Sequence, residues 1–144
     1  MSVSLYGSGQ TVVQVVSMAS ATSTTTSSST FSATALTLSI TPQSTSNKIL
    51  ILVSTGFTFS TSGNPVATVY RGATNLGSSG YNSGFQTAYT GNSSIWMPIS
   101  IDYLDSPATT SATTYTVYVN SQGGSISING NSYGTLTLME ISGA

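Results

Sequence analysis

Cysteine and histidine are both absent from the 144 residues. Their absence excludes disulfides, zinc fingers, Cys/His metal sites and Ser-His-Asp triads. Charge is nearly as scarce. Lys48, Arg71, Asp102, Asp105 and Glu140 are the only charged residues, where a soluble domain of this length carries roughly 36. At a net charge of −1 there is no basic stripe, and two cations cannot neutralise a run of phosphates. The usual sequence-independent binding of nucleic acid is thereby excluded. Long apolar runs are missing too. The longest, Ile49-Leu50-Ile51-Leu52-Val53, falls far short of the about 20 residues a membrane helix needs, so no membrane insertion is expected. The opening MSVSLYGSGQ has neither a positive start nor an apolar stretch of about 7–15 residues, so no secretory leader is expected. Neither a cofactor nor a metal is expected, and enzyme chemistry has little to work with.

Ser and Thr fill the space left by charge, at about 53 residues. Disorder would combine low hydrophobicity with few β-branched or aromatic residues. Here 38% of residues are hydrophobic and 9% aromatic, so the chain is expected to fold. Its pattern is β nearly throughout. Apolar residues alternate in Leu36-Thr37-Leu38-Ser39-Ile40, in Tyr115-Thr116-Val117-Tyr118-Val119, in Thr135-Leu136-Thr137-Leu138, and at Met97, Ile99 and Ile101. Alternation places one side of each strand in a core. Residues 48–59 begin as a continuous apolar block and read as a central strand covered on both faces at its start, bending or re-exposing at Gly56.

Turn signals cut these runs at short intervals: Thr41-Pro42-Gln43-Ser44, Ser62-Gly63-Asn64-Pro65, Asn129-Gly130-Asn131, and Ser121-Gln122-Gly123-Gly124 as a hairpin turn. The spacing predicts a single all-β domain over residues 1–144, an antiparallel β-sandwich or jelly-roll-like fold of about eight to ten strands. Residues 1–10 read as an N-terminal arm toward a neighbour or a larger particle. Residues 17–34 read equally well as linker or strand. Residues 72–94 form the longest irregular stretch, and its Tyr81, Phe85 and Tyr89 make it the candidate recognition loop.

The three carboxylates are the only candidate acids and bases. Asp102 and Asp105, three apart, point to opposite faces of an extended strand, which disfavours a catalytic pair. Asp105-Ser106-Pro107 reads as a turn whose Asp side chain caps backbone amides. Glu140 shares the parity of Leu136 and Leu138. A buried charge needs a partner, so Glu140 is expected to meet Lys48 or Arg71, to owe its position to a bulge in the last strand, or to sit exposed on an edge strand. The five charged residues are therefore candidate structural ion pairs. Trp96 is out of phase with Met97 and Ile99 and faces away from their core, a candidate interface anchor.

A weakly charged surface favours self-association and is tolerable where much of it is covered in an assembly. The run Thr37-Leu38-Ser39-Ile40-Thr41-Pro42-Gln43-Ser44-Thr45-Ser46-Asn47-Lys48-Ile49-Leu50-Ile51 adds a more specific lead. With Tyr70-Arg71-Gly72, Leu76-Gly77, Tyr103-Leu104-Asp105-Ser106-Pro107, Thr114-Tyr115-Thr116-Val117 and Thr137-Leu138-Met139-Glu140-Ile141 following in order, it resembles a small all-β virion module of tailed phages, especially those of cyanobacteria and marine bacteria. The resemblance spans about residues 10–141. It implies a non-enzymatic structural protein of the virion, a homotrimer assembled in the host cytoplasm and contacting other capsid or tail proteins. Tail fibre or fibre tip touching a host surface glycan is the first version. A capsid decoration or head-fibre cement protein is the second. A free carbohydrate-binding lectin is a rival of a different class, for which Tyr81, Asn82, Phe85 and Tyr89 would supply the aromatic platforms and amides.

Overall fold

The computed structural model describes residues 9–59, 64–79, 81–87, 95–129 and 133–143. In chain order the strands are β1 (Val12–Ser20), β2 (Thr24–Thr26), β3 (Ser32–Ile40), β4 (Lys48–Phe59), β5 (Pro65–Arg71), β6 (Thr74–Asn75), β7 (Gln86–Thr87), β8 (Trp96–Asp105), β9 (Thr113–Ser121), β10 (Ile126–Ile128) and β11 (Gly134–Ile141). A 3-10 turn at Tyr81–Ser83 stands between β6 and β7. Val, Ile, Thr and aromatics dominate these segments, and their side chains suit a pleated, half-buried surface.

Three ribbons are each broken in two. On one edge of β4, β11 pairs with its first half (Ile141 opposite Lys48, Thr135 opposite Ser54) and β10 with its end (Ile128 opposite Phe57). β1 and β2 follow the same break, against β11 and β10 respectively. β8 pairs along the other edge of β4. The first sheet is therefore four ribbons wide: β1/β2, β11/β10, β4, β8. The second runs β3, β9, β5, then β6 and β7 in tandem on the far edge of β5. All pairings are antiparallel. From β2 onward the chain changes sheet at every step from one ribbon to the next except the β5–β6 hairpin, where Gly72 takes a positive φ of 55°; β6–β7 and β10–β11 stay within a ribbon. Eight ribbons, four to a sheet and wound in this order, make a jelly roll, the sandwich that the alternation predicts.

The core lies between the sheets. Leu36, Ile49, Ile51, Val69, Tyr115, Val117, Leu136 and Leu138 are fully buried, each contributing about 1.5–3 kcal/mol on removal from water. Two expectations need correction, and one open reading is decided. The aliphatic block of β4 is buried on one face only: Ile49, Ile51 and Val53 point in, while Leu52 is 37% exposed, because no layer covers the outer side of the first sheet. Residues 17–34 are largely strand, supplying the end of β1, all of β2 and the start of β3. Residues 121–124 form a crossover between sheets rather than a hairpin, since β9 and β10 lie on opposite layers.

Hydroxyls explain how so few charges suffice. Ser17 faces Thr137 at 2.8 Å, Thr25 faces Ser127 at 2.6 Å, Thr37 faces Thr116 at 2.8 Å and Ser39 faces Thr114 at 2.7 Å. Each pair sits at directly opposed register positions. Cross-strand hydroxyl pairs of this kind contribute roughly 0.2–1 kcal/mol each. The coat of Ser and Thr thus binds strand to strand with neutral groups.

Candidate functional site

Two carboxylates are buried, and each is held differently. Asp105, 5% exposed, ends β8 and faces the core side of the sheet. Arg71, at the end of β5, brings its Nη1 to within 2.8 Å of both Asp105 oxygens, and the Tyr115 hydroxyl donates to Oδ2 at 2.7 Å. Asp105 is thus the partner of an ion pair, not the cap of a turn. Burial first, and then the adjacent Asp105 carboxylate, push the Tyr115 hydroxyl far above the ordinary tyrosine range, so Tyr115 remains a donor.

Glu140 is fully buried and meets neither cation. It lies on an inner ribbon, not an edge strand, and accepts from Asn47 Nδ2 at 2.6 Å, Gln14 Nε2 at 2.6 Å and the Gln43 backbone N–H at 2.7 Å. The last strand carries no bulge against β4; the irregularity is instead in β1, where the register slips between Val12 and Gln14 opposite Glu140 and Ile141. That slip brings the Gln14 side chain to Glu140, and Gln14 also donates to the Thr41 carbonyl. Burial alone would raise the Glu140 pKa; the hydrogen bonds from Asn47, Gln14 and the Gln43 and Ser44 amides outweigh it, so the group sits below its ordinary value.

The remaining charges do not assemble into a reactive centre. Asp102 and Lys48 are exposed on the outer face of the first sheet, and Arg71–Asp105 is the one salt bridge among the described residues. Asp102 and Asp105 point to opposite faces, as their spacing requires. Among the described residues no group of three or more potential metal ligands forms.

That outer face is where the apolar surface collects. Val15, Met139, Leu50 and Leu104 stand opposite one another in register, a row crossing all four ribbons. Val12, Val15, Leu52, Leu104 and Trp96 are its exposed members, with Trp96 68% exposed, facing away from the core as its phase predicts. Beside Trp96, residues Thr55, Phe57, Met97, Pro98 and Tyr133 line a groove of about 270 Å³. Tyr133 enters where β10 and β11 part. At that break Asn129 is 2% exposed with φ 58°, accepts from the Thr55 hydroxyl and donates toward the carbonyls of Ser20 and Thr22 at 3.4 Å.

The outer face of the second sheet is different. Tyr70 stacks on Tyr118 with centroids 4.1 Å apart and meets Phe31 edge-on at 6.1 Å. Beside this trio a groove of about 470 Å³ is walled by Thr30, Phe31, Tyr70, Asn82, Asn120 and Gln122, among others. Of the predicted recognition loop, Phe85 is half-buried against the core with its ring 4.9 Å from Tyr103, so it packs inward instead of offering contact area. Tyr81 contributes its backbone to the 3-10 turn. Tyr89 and nearly all of the 1–10 arm lie outside the described residues. Asn120 and Asn129 escaped the sequence reading because their burial depends on distant loops, and alternation alone carries no sign of it.

No known family matches the chain, and no curated protein pairs with it significantly.

Proposed function

We propose that the chain is a non-enzymatic structural protein of a phage virion, a homotrimeric appendage of the tail-fibre tip type that contacts the host surface. The observation that carries this reading is the segregation of surface. Every large hydrophobic residue exposed among the described ones (Val12, Val15, Leu52, Trp96, Leu104, Tyr133) belongs to one side of the sandwich, the outer side of the first sheet. Monomeric proteins rarely leave such a patch open. Four ribbons about 4.8 Å apart and some ten residues long give a face on the order of 600 Å², near the ~800 Å² that each partner contributes to a standard interface. This face carries one exposed charge of each sign, Lys48 and Asp102, and its net neutrality suits a partner of the same kind, a second copy of the chain. The opposite face, hydroxyl-rich and aromatic, is left for recognition. The phage assignment itself is supported by the ordered motif resemblance.

Capsid decoration is the second reading, in which the same apolar face seats on the head. Light scattering at micromolar concentration tests the assembly: three chains are expected, and Leu104→Asp with Val15→Asp should yield a folded monomer. A wild-type monomer that persists on concentration overturns the trimer. Antibody labelling of intact particles then separates tail-tip from head placement, and unlabelled particles overturn both versions.

A further inference from the structure

We infer that the groove on the outer face of the second sheet binds a neutral glycan. The inference rests on the host-contact reading and names the chemistry it would use. Its starting point is an unsatisfied atom. Asn120 is 2% exposed, its Nδ2 donates to the Ser29 carbonyl at 3.2 Å, and its Oδ1 has no hydrogen-bond partner, the only such buried side-chain atom among the described residues. Asn120 shares the outward parity of Thr116 and Tyr118 on β9, which sets its carboxamide at the floor of the groove. A buried acceptor left open is costly. It is closed off from solvent in the free chain, so a ligand hydroxyl that donates to it displaces the groups around it and removes that cost.

The walls fit the same ligand. Asn82 and Gln122 present exposed carboxamides, each able to donate and accept as a sugar hydroxyl does. Tyr70 packs against Tyr118 and meets Phe31 edge-on, so the aromatic cluster that would meet the C–H side of a sugar ring is held in place before binding. Asn75 fixes the opposite wall, donating to the Ser83 carbonyl at 2.7 Å while accepting from Thr68 and the Gly77 amide. At about 470 Å³ the groove is within the ~300–1,000 Å³ usual for small-ligand sites. None of the five charged residues lines it, which disfavours phosphate or carboxylate ligands. It lies over a sheet face beneath loops, so an extended peptide has no free ladder to join.

The test titrates the full ¹⁵N-labelled chain separately with methyl glycosides of mannose, galactose and glucose, following side-chain amide resonances. At least one should shift the Asn120 and Gln122 amides with a dissociation constant in the ~millimolar range, and the effect should persist to about 0.5 M salt because no charge contributes. Tyr70→Ala and Gln122→Ala should each weaken binding by about tenfold; Gln122→Ala, whose side chain is exposed, should leave the melting temperature unchanged. Silence from all three sugars, shifts confined to another face, or binding untouched by both substitutions overturns the site. Particle labelling judges the virion reading separately. Labelled particles with a silent groove sink the site alone, and a sugar-binding chain missing from particles sinks the virion reading alone.

Discussion

Glu140 is a carboxylate held in the core by neutral donors alone, and its behaviour with pH follows from that. Its pKa in the folded chain is below the unfolded value of about 4.3. The stabilisation is therefore fully present above that value and is lost as pH falls through the folded pKa. Glu140→Gln can keep an oxygen for Asn47 and the Gln43 N–H but then turns an amide donor toward Gln14 Nε2, and should cost about 1–3 kcal/mol at neutral pH. In thermal melts from pH 7 to pH 3 the gap between variant and wild type should narrow on the acid side. Arg71 answers to a different rule. Removing it as Arg71→Ala leaves Asp105 buried with only the Tyr115 hydroxyl, a loss of about 3–5 kcal/mol by urea unfolding; an unchanged midpoint would show that the pair contributes nothing. The inward parity of Glu140 was legible from Leu136 and Leu138. Its donors were not, because Gln14, Asn47 and Glu140 are brought together only by the pairing of β1 with β11 and the path of residues 41–47.

At the scale of strands, alternation located the main ribbons, and where it misled, the reason is local. The Ile49–Val53 block reads as doubly covered because Leu50 and Leu52 are apolar, yet their neighbours in register, Met139 and Leu104 for Leu50, belong to an uncovered surface. Low-complexity Ser/Thr segments were ambiguous because a hydroxyl serves a loop and a strand equally; only the opposed partners, such as Thr25 with Ser127, decide it. The shared break in two adjacent ribbons is likewise invisible without register. Gly134 is its steric requirement: a Cβ there would overlap the Asn129 carboxamide, itself held by Thr55. Gly134→Ala should destabilise by about 1–3 kcal/mol through overpacking, with the urea midpoint falling and the slope of the transition unchanged.

Across the whole molecule, neutral contacts take the place that charge usually holds. Its cohesion comes from apolar burial, strand ladders and hydroxyl pairs, with one salt bridge among the described residues. The melting temperature should accordingly vary by no more than a few degrees between low and ~0.5 M sodium chloride; a large salt-dependent drop would reveal an ionic network. The sandwich class was legible because period-two patterning is a local property. The two faces proposed for assembly and recognition were only half legible: Trp96 announced one of them, whereas the groove on the other depends on Phe31, Tyr70 and Asn120 meeting across three segments.

The position of β11 also bears on synthesis. It is the last of the described strands to leave the ribosome, yet it pairs with both β1 and β4 and so occupies the middle of its sheet. Until it emerges, those earlier strands present facing edges with nothing between them, and the chain has almost no Lys or Glu to discourage wrong pairing. Closure is therefore a late event that joins residues more than a hundred positions apart, such as Gln14 and Glu140, a slow class of folding step. A nascent chain interrupted before that ribbon retains a vacant slot that another polypeptide's strand can fill.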